Sequence, residues 1–97
     1  MKAPRLVFRE ARPDDMIGCA RVFQRSATDL AKRHGNRPPQ IRVQDMASSL
    51  AHVQRTDPKG FHVAVRNGKV AAFATTILRG KTHFLSMFWA LPSWRYE

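Results

Sequence analysis

Apolar residues in this chain keep one period up to about residue 60 and a different one after it, and that change limits the folds open to it. Over 61–66, Phe61, Val63 and Val65 alternate with His62, Ala64 and Arg66, the two-residue period of a strand with unlike faces. Asn67-Gly68 follows, a pair suited to the positive φ angles of a tight hairpin turn. A second strand is expected over 70–78, a turn at Arg79-Gly80-Lys81, and a third strand over 82–91. The middle strand is apolar on both sides, with Ala72 and Ala74 on one and Phe73 and Ile77 on the other, so both faces of the sheet are expected to be covered.

Upstream of the switch the period is helical. RLVFR at 5–9 is a short strand, and ARPDD ends it: Pro13 suits a first helical turn, and Asp14 and Asp15 suit its positive end. Met16, Ile17, Ala20, Phe23, Ala27, Leu30 and Ala31 then recur at three-to-four spacing up to Gly35, an amphipathic helix of about five turns. NRPPQI is a loop, because consecutive prolines cannot continue a helix. Val43, Met46, Ala47, Leu50 and Val53 define a second helix that ends near TDPKG. The order is β-α-α-β-β-β, an α/β (α+β) chain with two helices and an antiparallel meander.

Ninety-seven residues fit one domain with one core. With 43% hydrophobic residues the chain is too apolar to be disordered, although its formal charge is +10. That charge predicts an anionic partner, and a nucleotide cofactor or a nucleic acid would both satisfy it. The basic residues are mostly arginines spread singly along the chain, so they are expected to mark no one groove or tail. Cys19 is the single cysteine, which excludes an internal disulfide and fits a reducing compartment. MKAPRLVFRE does not read as a secretory signal and no run approaches membrane-spanning length, so no membrane is expected and the cytoplasm is the expected location.

The chain closes with FLSMFWALPSWRYE, a strongly apolar strand broken by Pro92. Together with VFREARPDD ahead of a long helix, the β-α-α-β-β-β order and the Asn67-Gly68 hairpin, this resembles the N-terminal half of the GNAT-type, acetyl-CoA-dependent N-acetyltransferases. In that family the fourth strand leads through a proline to a loop of pattern Q/R-x-x-G-x-G/A, and Arg95 stands in the Q/R position. The resemblance implies a single GNAT-like domain over 1–97 that stops short of the pyrophosphate loop, and a chain inactive in acyl transfer when alone.

It also implies a chemistry and a set of residues. An acceptor amine attacks the thioester of acetyl-CoA, and the enzyme orients both, stabilises charge on the carbonyl oxygen and removes a proton. Backbone groups of the fourth strand near its bulge hold the pantetheine arm, which assigns cofactor binding to Phe88, Trp89, Ala90 and Leu91, with Arg95 toward the phosphates. Acceptor specificity falls to the loop at 34–42, where Arg37 and Arg42 would meet an acidic acceptor; solvated loop arginines are the plainer reading. The acceptor itself and the catalytic acid and base are unassigned. The last strand, stripped of a neighbour, is expected to pair with a second copy or a partner chain. The runner-up function is a non-catalytic basic module that binds nucleic acid or a partner protein.

Other groupings carry less. His34, His52, His62 and His83 show no metal-ligand spacing, and no metal is expected. Cys19 has no base placed beside it and reads as a packed thiol. Phe84, Phe88, Trp89 and Trp94 near arginines could stack bases, but strand alternation explains most of them as core. The connection at 34–42 is too long for a helix-turn-helix.

Overall fold

The computed structural model describes residues 6–38, 40–79 and 82–91, and only the backbone of 77–79 and 82–86. Strand β1 (Leu6–Glu10) leads through a 3-10 turn (Pro13–Asp15) into α1 (Met16–Arg33); α2 (Val43–Thr56) follows, then a second 3-10 turn (Pro58–Gly60) and strands β2 (Phe61–Arg66), β3 (Lys69–Arg79) and β4 (Thr82–Ala90). The strands form one antiparallel sheet in the order β1-β2-β3-β4. The chain order and the meander of β2, β3 and β4 are those read from the sequence, and the structure adds the pairing of β1 with β2.

Local chemistry explains three of the boundaries. Asp15 closes the entry to α1: its carboxylate takes the Arg12 N–H at 2.7 Å and the Arg9 guanidinium at 2.6 and 3.0 Å. The first helical turn is therefore a 3-10 turn tied back to β1. At the far end of α1, Gly35 adopts φ +69° and the Asn36 N–H reaches back to the Ala31 carbonyl at 2.8 Å, which stops the helix where the sequence places it. Asn67 and Gly68 both take positive φ, 52° and 80°, as a hairpin between twisted strands requires.

Both helices lie on one face of the sheet. Cys19, Ala20 and Val22 of α1 and Ala47 and Leu50 of α2 pack on Phe61, Val63 and Phe73, all 7% exposed or less. Full burial of a side chain such as Leu50 or Phe73 contributes about 1.5–3 kcal/mol, so this face carries the core. Among the described residues no helix lies over the other face, although the alanines at its centre are 5% exposed or less. Its centre is a patch of cross-strand alanines, Ala64, Ala72 and Ala90, flanked by Phe8 and Phe88 at 69% and 55% exposure. Alanine is apolar yet small, and its place in a strand does not say whether a second layer sits on it.

Candidate functional site

The sheet leaves two outer edges, on β1 and on β4, and that of β4 carries a bulge. Among the described residues β4 pairs with β3 alone. The register is Ala72↔Ala90, Phe73↔Trp89, Ala74↔Phe88 and Thr75↔Met87, after which it slips so that Thr76 faces Leu85 and Ser86 has no opposite residue. A bulge therefore sits in β4 two residues before Phe88. The Leu91 N–H donates to the Ala71 carbonyl at 2.8 Å. Antiparallel alternation then turns the backbone groups of Trp89 toward β3 and those of Phe88 and Ala90 toward the free edge.

Helix α1 braces this edge from the core side. Ser26, fully buried, donates its hydroxyl to the Ala90 carbonyl. One turn earlier, Phe23 meets Trp89 edge to face, ring centres 4.9 Å apart. The groups left outward are thus the N–H and C=O of Phe88 and the N–H of Ala90. Beside them on the open face, Phe8, His62, Ala64, Ala72, Ala74 and Phe88 line an apolar trough of about 220 Å³.

The residues picked out by sequence divide accordingly. Phe88, Trp89, Ala90 and Leu91 are contiguous as expected, but they are not equivalent. Leu91 gives its N–H to Ala71 and Trp89 faces β3, so these two hold the strand while Phe88 and Ala90 offer free groups. Arg37 is exposed in the connection between the helices. Arg42, at the start of α2, forms an exposed ion pair with Asp45 at 3.5 Å, an i,i+3 contact worth little in water. Arg95 lies outside the described residues.

Cys19 is inaccessible, and burial, with Asp15 adding and Arg9 opposing, pushes its thiol up to about 12. It is not a nucleophile in the folded chain. Among the described residues no group of three or more His, Cys, Asp or Glu is placed to hold a metal, and no helix is long and apolar enough to cross a membrane. His34, His52 and His62 are exposed.

One element of the site escaped the sequence reading. Ser26 occupies an apolar position of the α1 stripe between Phe23 and Leu30, and that misfit was its only signal. The bulge was implied in the fourth strand by the family resemblance, and the pairing register sets it at Ser86.

No protein-family model matches the chain, and no curated protein sequence matches it. Solved structures do. A candidate acetyltransferase from Pyrococcus horikoshii superposes on 98% of this chain with a TM-score of 0.73 at 14% identity. A protein of Clostridium difficile 630, described as a possible acetyltransferase, superposes on 95% with a TM-score of 0.62 at 22% identity. The matched region spans 30% of the first protein and 61% of the second. At these identities the likeness is one of fold: the chain has a GNAT-like architecture and is similar in structure to GNAT-fold acetyltransferases.

Proposed function

We propose that this chain carries the β4 side of a GNAT-type N-acetyltransferase site, binding acetyl-CoA for acyl transfer to an amine. The observation that supports the reading best is the free β4 edge, with the Phe88 N–H and C=O and the Ala90 N–H turned outward just beyond a bulge. Those groups fit an extended ligand that carries amides, because such a ligand can hydrogen-bond to an edge as an added strand does. Acetyl-CoA, when bound, supplies the activated acyl group.

In this reading the chain's own residues position and hold. Phe88 donates and accepts along the pantetheine arm, and Ala90 donates. Ser26, Phe23 and the ladder through Trp89 and Leu91 keep the edge fixed, which lowers the cost of ordering on binding. Arg95 adds an electrostatic contact to the phosphates. In the 34–42 connection Arg37 is the better candidate for an acidic acceptor, since Arg42 already pairs with Asp45.

Amide spectra of the labelled chain during an acetyl-CoA titration test the proposal. Saturable shifts are expected at Phe88 and Ala90, with the Trp89 amide moving less. Shifts absent from Phe88 and Ala90 at saturating ligand would overturn the assignment.

A further inference from the structure

The solvent face of α1 carries a basic stripe that the acyl-transfer reading does not use. Arg21, Arg25, Thr28 and Lys32 follow one another at spacings of four, three and four, which places them on one side of the helix, opposite the buried Cys19, Ala20 and Phe23 side. Two clefts run along this stripe and share Arg25 as a wall. The first, about 370 Å³, lies between α1 and the β2–β3 hairpin and holds Arg21, Arg25 and Lys69. The second, about 320 Å³, holds Gln24, Arg25, Thr28 and Lys32.

Charge in these clefts is unbalanced. Their carboxylates are Asp14, Asp15 and Asp29, but Asp15 is held by Arg9 at 2.6 Å and Asp29 by Arg33 at 3.0 Å. Four cations therefore face one carboxylate not already matched, Asp14. Among the described residues Arg21, Arg25, Lys32 and Lys69 make no ion pair.

We infer that the α1 stripe and Lys69 form a binding track for the phosphate backbone of a nucleic acid. At about 1.5 Å per residue the stripe from Arg21 to Lys32 is about 16 Å long, the axial length of about five nucleotides of one strand at about 3.4 Å each. Besides the three carboxylates and a few apolar side chains, its lining is guanidinium and ammonium groups with an amide and a hydroxyl, which suit phosphate oxygens. Among the described residues neither cleft has an aromatic wall on which a base could stack, so the track reads charge and spacing and not sequence.

Fluorescence anisotropy with short labelled duplexes of two unrelated sequences, and with one of their single strands, tests this on the full chain. Both duplexes should bind equally. With four phosphate contacts the affinity should fall about 100-fold between about 50 and about 200 mM salt. The pair R21Q/R25Q should weaken binding about tenfold or more and lower the salt slope by about two. R55Q/K59Q removes the same charge from α2 and the turn after it, and should leave affinity within about threefold. Equal losses in the two variants would show that net charge alone is read, and would overturn the track. So would a preference for one duplex that survives the higher salt, or competition by poly-glutamate as strong as by unlabelled DNA.

Discussion

Asp15 does more for this fold than any other described carboxylate. It is 8% exposed, yet it accepts three hydrogen bonds, two from Arg9 and one from the Arg12 backbone. Burial pushes the carboxyl up; the Arg9 and Arg12 hydrogen bonds and charges outweigh it and bring it below its ordinary 3.8. A folded-state value below the unfolded one contributes stability that is fully present above the unfolded value and is lost as pH falls through the folded one. Chemical unfolding midpoints should accordingly drop as pH falls below about 4. Asp15→Asn should cost about 1–3 kcal/mol at neutral pH and flatten that acid limb. A variant with an unchanged midpoint and an unchanged acid limb would remove Asp15 from this role. The sequence showed Asp14 and Asp15 as helix-start residues, and only the folded chain showed that one of them reaches back six residues to Arg9. Helix-start patterns register charge near an N-terminus and carry no record of what lies across from it.

Among elements, the contact between α1 and β4 joins the two halves of the chain and positions the candidate site. Its polar part is Ser26, whose hydroxyl bonds the Ala90 carbonyl inside the core. Ser26→Ala leaves that carbonyl without its partner and should destabilise the chain by about 1–3 kcal/mol. Loss of amide protection should concentrate in β4 and not in β1. Uniform loss across all four strands, or no loss, would contradict a local brace. Period and turn residues were enough to read the helices, the hairpin and the chain order, because Met16 to Ala31 and Phe61 to Val65 obey unlike spacings and Asn67-Gly68 marks the turn. They could not give the layers. Ala64, Ala72, Ala74 and Ala90 look as apolar as core residues, and an alanine packs equally well under a helix or beside another alanine. The resemblance implied a bulge in the fourth strand, but its position at Ser86 belongs to the pairing of two strands and came only with the fold.

At the scale of the whole molecule, a +10 chain carries an edge strand with outward backbone groups and an exposed Phe88 beside an apolar trough. An edge of this kind pairs readily, and like charge opposes the approach of a second copy. Self-association through β4 should therefore strengthen as added salt screens the repulsion. Light scattering across a salt series checks it, and a monodisperse 11.1 kDa species at high salt and high protein concentration would contradict it.

The same edge carries the central claim, that β4 presents the backbone groups that hold acetyl-CoA. Proline is tolerated on an edge strand where the N–H it removes points away from the ladder, so Phe88→Pro deletes one proposed donor while Phe88→Ala removes the ring and keeps the N–H. The direct measurement is the acetyl-CoA affinity of both variants beside the parent chain, with circular dichroism to confirm that each is folded. Phe88→Pro should lose about fivefold in affinity, the value of about 1 kcal/mol for one hydrogen bond, and Phe88→Ala should stay close to the parent. Equal affinity in the proline variant and the parent would contradict the account, because the free edge of β4 would then play no part in holding the cofactor.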